Sequence, residues 1–281
     1  MPKSTRHRPR KRFGQHFLHD PAVRSRIVAA VSPEPGQVIV EIGPGHGALT
    51  DGLLEHVGHL WAVEIDRDLA AELELRHGPR LTLHPGDALK VDFGSWPGPS
   101  PFRVVGNLPY NIATPLIAHL AATKARIRDL HLMVQREVGE RMLAGPGEPA
   151  YGRLSIFTGY HFRVERLFPV GRGAFSPPPQ VESVVLRLEP KAQPPFPTGD
   201  ERQFFELVFR AFHRRRKMIR NALGGTVPAE LWEKARIDPR ARPETLPPEA
   251  FARLADLLSG EPDFWARPGA GDPRPQVPGC G

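Results

Sequence analysis

An open parallel α/β sheet followed by a smaller all-helical domain is the fold class that the sequence predicts. Two observations predict it. Between residues 38 and 188 short apolar runs alternate with stretches at helical spacing, a pattern of parallel strands joined by right-handed crossovers. Beyond a linker at Lys191–Thr198 that carries three prolines, strand-like runs stop and only helical periodicity remains. The 281 residues leave room for both units with ample core. The expected boundaries are a basic arm at 1–12, the sheet domain at 13–190, the helical domain at 199–265 and a tail at 266–281.

Each element has its own local signal. Asp20-Pro21 supplies an N-cap and a first-turn proline, and Val23, Ile27, Val28 and Val31 follow at helical spacing. Ser32–Gly36 stops that helix. Val38–Ile42 reads as a strand, Gly43–Ala48 as a glycine turn, and Leu49, Leu53, Leu54 and Val57 as one face of a helix. A second strand from His59 ends in Glu64-Ile65-Asp66, and a helix spans 68–77. Leu81–His84 is a third strand, followed by Gly86-Asp87-Ala88. A Gly/Pro/Ser-rich loop then leads to a fourth strand, Phe102–Gly106, and a helix over 112–122. Asp129–Val134, a helix over 135–144, a helix–strand pair over 155–167, and a strand at Val184–Leu188 complete the sheet domain. In the helical domain Phe204, Val208 and Phe212 recur along one face, which Met218, Ile219 and Leu223 are expected to continue. The same helix is expected to carry Arg214, Arg215, Arg216, Lys217 and Arg220. A further helix covers Pro248–Leu258. The Pro/Gly-rich stretch from Pro268 is expected to be disordered.

Composition narrows the function classes. A hydrophobic content of 40% and a charged content of 25% are those of a globular protein. No apolar run approaches the roughly eighteen residues of a membrane span. The basic N-terminus lacks an apolar stretch after it and is no secretory signal. A single cysteine, Cys280, excludes a disulfide framework within one chain and fits a reducing cytoplasm. The twelve histidines form no ligand set, so no metal site is expected. A net charge of +7 favours a polyanionic partner such as a nucleic acid.

Asn107-Leu108-Pro109-Tyr110 follows the fourth strand, where open α/β sheets place their ligands. Asn offers a side-chain acceptor, the turn offers free carbonyls and Tyr offers a flat face. Together these suit an exocyclic amino group and the ring that bears it. Gly43-x-Gly45-x-x-Ala48, with Glu64 about twenty residues on, has the spacing of a dinucleotide fingerprint. The neighbouring acids Glu41 and Asp87 argue against a pyrophosphate and for a cationic sulfonium. Glu64 is placed to take both ribose hydroxyls of an adenosine and Asp87 to accept from the adenine amino group. The pattern reads as S-adenosylmethionine, with NAD a distant alternative. Any one of these acids could equally be a loop carboxylate or a helix cap; three at neighbouring strand ends point to a ligand.

These motifs, read in order with Lys11–Leu18, Gly86-Asp87-Ala88, Phe175-Ser176-Pro177-Pro178-Pro179 and Arg214–Asn221, resemble the bacterial small-subunit ribosomal RNA adenine N6,N6-dimethyltransferases over residues 11–257. The resemblance implies a Rossmann-like class I S-adenosylmethionine-dependent methyltransferase domain with a helical RNA-binding, ribosome-docking C-terminal domain. It implies transfer of four methyl groups to two adjacent adenosines in the 3′-terminal hairpin of 16S rRNA, within the immature small subunit, with S-adenosylhomocysteine as product. By the same resemblance His16 and Leu18 cover the methionine end of the cofactor, Gly43 contacts it through the backbone, Glu64 binds the ribose and Asp87 the adenine. Asn107 lies between donor and acceptor. Asn107, Leu108, Pro109 and Tyr110 hold the target adenine, with Phe175 as the second stacking face. His16 stands where many relatives have Asn. Arg12, Arg214, Arg215, Arg216, Lys217 and Arg220 are expected to contact RNA phosphates, and the chain to act as a cytoplasmic monomer. The competing expectations are a large-subunit adenine methyltransferase of the macrolide-resistance type and an RNA-binding assembly factor without catalysis.

Overall fold

The computed structural model describes residues 15–109, 112–214 and 217–266. Arg12 and the rest of the basic arm, Tyr110, Arg215, Arg216 and the tail from 267 lie outside the described residues.

Of these, 15–139 and Val164–Pro190 form one compact unit, and Glu140–Arg163 with 191–266 forms a second. The single boundary expected after residue 190 therefore does not describe the packing, because Glu140–Arg163 goes with the helical unit. Tyr151, in that segment, is 2% exposed, and its hydroxyl donates to the Leu246 carbonyl at 3.0 Å. A buried phenol needs such a partner, and this one ties the segment to the far end of its unit.

The first unit opens with β1 (Phe17–Leu18) and α1 (Pro21–Val31). Asp20 caps α1 by accepting from the backbone N–H groups of Ala22 and Val23. Next come β2 (Ile39–Ile42), α2 (Thr50–Leu54), β3 (Leu60–Glu64), α3 (Arg67–His77), β4 (Leu81–Pro85), β5 (Phe102–Asn107), α4 (Ala113–Ala121), β6 (Ile127–Gln135) and α5 (Arg136–Leu143). After α6 (Arg153–His161) the chain returns through β7 (Phe162–Val170), β8 (Phe175–Ser176) and β9 (Ser183–Pro190). The second unit adds α7 (Glu201–His213), α8 (Ile219–Ala222), α9 (Ala229–Ala235), α10 (Pro248–Leu258) and α11 (Pro262–Ala266).

Seven strands form one sheet in the order β4-β3-β2-β5-β6-β9-β7, and β1 and β8 form a separate two-stranded ribbon. Strands β4 to β6 are parallel, as the alternation predicts, but β9 runs antiparallel to β6. The central strands β2 and β5 are buried without alternation because both faces are covered. From β2 the chain first winds outward to β3 and β4, then crosses back to β5 on the other side. That reversal makes the carboxyl ends of β2 and β5 the topological switch point, where such sheets bind ligands. Gly106 allows the two strands to close up there. A Cβ on it would lie 2.9 Å from the Ile42 carbonyl oxygen.

The second unit has an aromatic-rich core that includes Tyr151, Tyr160, Phe204, Phe212, Trp232 and Phe251. Its basic cluster is arranged differently from expectation. Helix α7 ends at His213 and α8 begins at Ile219, so Arg214, Lys217 and Arg220 do not share one helix. All three side chains are exposed. Met218 is 39% exposed and does not continue the apolar face, whereas Ile219 is fully buried.

Candidate active site

The switch point brings four sequence motifs together. Asn107 is the last residue of β5 and is partly buried. Its Nδ2 donates to the His16 carbonyl at 3.2 Å. That carbonyl can only accept, so the bond sets the amide orientation and leaves Oδ1 to act as an acceptor. The Leu108 N–H donates to the Met133 carbonyl at 3.0 Å, and the Leu108 side chain is 2% exposed. The Pro109 carbonyl already accepts from Ile112 N–H at 3.1 Å. Of the two turn carbonyls, Leu108's is therefore the better candidate for an incoming amino group.

The N-terminal motif folds over this turn. Strand β1 pairs with β8, Phe17 opposite Ser176 and Leu18 opposite Phe175. His16 Nδ1 lies 2.8 Å from the Pro177 carbonyl. Gln15 Nε2 donates to Asp66 Oδ2 at 3.2 Å. Phe17 packs over the glycine turn, with its ring centroid 4.4 Å from that of His46. The φ of Gly45 is +60°, left-handed, which favours glycine, and a Cβ there would press on Phe17 Cδ1 at 3.2 Å. Leu18 and Phe175 are both buried in the unit's core, at 5% and 3% exposure. Phe175 thus packs in the unit's core, on the strand that pairs with the N-terminal motif.

The three acids differ sharply. Glu64 ends β3 and accepts from Gly45 N–H at 3.0 Å and from Asp66 N–H at 2.9 Å, one on each carboxylate oxygen. Burial raises its pKa, and the Asp66 and Gly45 donors oppose that rise. A carboxylate has about four acceptor sites, and the Ile65 backbone also bonds this one, so Glu64 has room for a further donor. Asp87 caps the turn at Ala88–Lys90, with Oδ1 accepting from Leu89 N–H at 3.0 Å. Both residues are therefore caps as well as candidate ligand groups. Glu41 is not a strand-end charge. It lies inside β2, is 2% exposed and accepts from the Thr50 hydroxyl through Oε2 at 2.6 Å. Burial pushes its pKa from the ordinary 4.5 up to about 8, so near neutrality it is mostly a neutral acid, and its expected attraction for a cation is corrected accordingly.

That shift has a measurable consequence. The folded chain holds the Glu41 proton more tightly than the unfolded chain. The stability this provides is complete below the ordinary value of 4.5 and is lost as pH rises through about 8. Glu41→Gln keeps an acceptor for Thr50 and removes the titration. Its Tm is expected to fall less than the wild-type Tm between pH 5 and about pH 8. Glu64 contributes the same trend to both proteins, so the difference isolates Glu41. Parallel curves would show that Glu41 ionises freely.

Sequence reasoning missed Gln15, Thr50, Asp66 and the Pro177 carbonyl. Asp66 is fully buried. The first three stand inside or beside the motifs, but their partners are distant in sequence and no spacing reveals them. Among the described residues no cluster could hold a metal ion, and no helix is long and apolar enough to cross a membrane.

Residues 6–259 match the family model described as ribosomal RNA adenine dimethylase. A ribosomal RNA small subunit methyltransferase A from Pseudomonas aeruginosa is 50% identical over 265 residues, covering 93% of this chain and 99% of the relative. One from Laribacter hongkongensis is 49% identical over 253 residues, covering 90% and 97%. Among solved structures, a dimethyladenosine transferase from Plasmodium falciparum superposes with a TM-score of 0.73 at 26% identity, over 87% of this chain and 98% of that one. The 23S rRNA methyltransferase ErmE gives 0.66 at 25% identity, over 86% and 99%. With a family model spanning most of its length and relatives half identical throughout, the chain belongs to the ribosomal RNA adenine dimethylase family.

Proposed function

We propose that the chain dimethylates N6 of two adjacent adenosines in the 3′-terminal hairpin of 16S rRNA, within the immature small subunit. It takes four methyl groups in total from S-adenosylmethionine and acts as a monomer. The observation that carries this reading is the fixed amide of Asn107 at the sheet's switch point, whose Nδ2 is taken by the His16 carbonyl and whose Oδ1 is left to accept.

The residues beside it suit the methyl donor. Glu64 has acceptor sites to spare for a ribose diol, Asp87 keeps Oδ2 for an adenine amino group, and the Gly43–Gly45 turn allows close backbone approach. When bound, S-adenosylmethionine supplies an electrophilic sulfonium methyl and leaves as S-adenosylhomocysteine. Asn107 Oδ1 and the Leu108 carbonyl accept the two N6 hydrogens of the unmethylated adenine, and one of them accepts the single hydrogen left for the second transfer. That draws the nitrogen lone pair out of conjugation and aims it along the transfer line. Each transfer releases one N6 proton to water. Catalysis is then mostly positioning, and no strong base is needed. The adenine reaches the turn only after leaving its stack. Tyr110 supplies a stacking face, and His16, Leu18 and Gly43 border the methionine end.

RNA affinity comes from Arg12, Arg214, Arg215, Arg216, Lys217 and Arg220 through phosphate contacts, and it weakens steeply with salt. The half-identical relatives are named for the small subunit, which favours that substrate over the large one named for ErmE. Both immature subunits, incubated with the purified chain and methyl-labelled S-adenosylmethionine, test the choice. Label is expected in the small subunit alone. Label in the large subunit alone overturns it, and binding without transfer points instead to an assembly factor.

A further inference from the structure

The ribbon of β1 and β8 spans only two residue pairs. His19 N–H donates to the Ala174 carbonyl at 2.9 Å. Ladder alternation then makes Phe17–Ser176 the next bonded pair and turns the backbone groups of His16 out of the ribbon. It is this outward carbonyl that Asn107 Nδ2 takes, at 3.2 Å. The ladder ends before it can hold His16 in place, and the side chain reaches back to the ribbon instead. Nδ1 lies 2.8 Å from the Pro177 carbonyl, which can only accept, so the ring donates through Nδ1–H.

We propose that His16 is a positioning residue for Asn107: its ring, clamped on Pro177, fixes its own carbonyl, and that carbonyl selects the amide rotamer presenting Oδ1 to the acceptor amino group. The inference rests on the role of Asn107 given above. The two amide orientations of an asparagine are nearly equal in shape, so packing alone hardly chooses between them. In the flipped orientation Oδ1 would face the His16 carbonyl, acceptor against acceptor. Nδ2 would then face the N6 hydrogens, donor against donor. Both contacts are repulsive, and the amino group loses the acceptor that orients it. A donor at position 16 that reaches Pro177 is thus worth more than its own bond. An asparagine there also carries such a donor.

The test compares His16→Leu, which cannot donate, with His16→Asn, which can. Three quantities are read: single-turnover methylation of immature small subunits, the Kd for S-adenosylmethionine, and the Asn107 side-chain amide NMR signal, assigned by its loss in Asn107→Ala. His16→Leu is expected to lower the methylation rate on the order of 10²-fold at saturating cofactor and RNA, the scale of a misplacement of about 1 Å. It should also shift the Asn107 amide signal. His16→Asn is expected to restore most of the rate and the signal. In the Asn107→Ala background His16→Leu should add little further loss, because the pair acts as a unit. A loss confined to cofactor affinity, an unmoved amide signal, or an Asn variant as slow as the Leu variant overturns the inference. If His16→Leu does not fold, the amide signal and rate of His16→Asn still decide. Absence of methyl transfer by the wild type would sink the function itself, a separate failure.

Discussion

Replacing Asn107 by alanine is expected to slow methyl transfer on the order of 10²–10³-fold, the effect of removing one preorganised hydrogen-bonding group from a reacting centre. The loss should fall on the chemical step. Asn107 contributes one side-chain bond within the protein, to His16, and the strand beneath it is held by backbone pairing with β2 and β6. Rapid-mixing single turnovers on immature small subunits measure the step, and filter binding measures RNA affinity, which is expected to stay near that of the wild type. Equal rates for the two proteins would remove Asn107 from the mechanism.

Asp129→Ala is expected to cost about 3–5 kcal/mol of stability, the range for breaking a buried ion pair from one side. Arg103 and Asp129 face each other across β5 and β6, with Nε to Oδ1 at 2.8 Å and Nη2 to Oδ2 at 2.9 Å. Their side chains are 6% and 1% exposed. Arg103 Nη1 also donates to Gln37 at 3.0 Å and to the Ser32 carbonyl at 3.3 Å, tying the sheet to the end of α1. Nearby His131 adds no second positive charge. Burial drives its pKa down to about 4, so it is neutral at physiological pH. Removing the carboxylate would strand Arg103 without its counter-charge. The urea midpoint reads the effect. Glu182→Ala, which breaks an exposed pair with Arg136, serves as the control and should change it little. Equal, small shifts in both variants would mean that water reaches Arg103.

Much of the architecture is legible because it rests on local chemistry. Asp20-Pro21 begins a helix at those positions, and the apolar run before Asn107 is a buried central strand. The antiparallel β9 is not legible, since Val184–Leu188 reads as a buried strand in either direction. Strand direction is set by pairing partners far along the chain. The same limit governs the site. The Asn-Leu-Pro-Tyr turn and the acid at Glu64 announce themselves by type and spacing. That Glu41 is a neutral buried acid depends on Thr50 and on enclosure by the sheet, which no motif encodes. Phe175 shows the same limit: a conspicuous aromatic before a proline run does not reveal that its strand pairs with Phe17–Leu18, far earlier in the chain. The basic run from Arg214 reads as a continuation of α7, but the helix stops at His213, just before four successive cationic side chains.

The chain is expected to place N6,N6-dimethyladenosine on 16S rRNA with Asn107 at the reacting nitrogen. Mass spectrometry of 16S rRNA from cells lacking the chain, complemented with either wild type or Asn107→Ala, tests it most directly. The two adjacent dimethyladenosines are expected to be absent without the chain, to return with the wild type and to fail to return with Asn107→Ala. Dimethyladenosines that persist without the chain, or that return equally with Asn107→Ala, would contradict it.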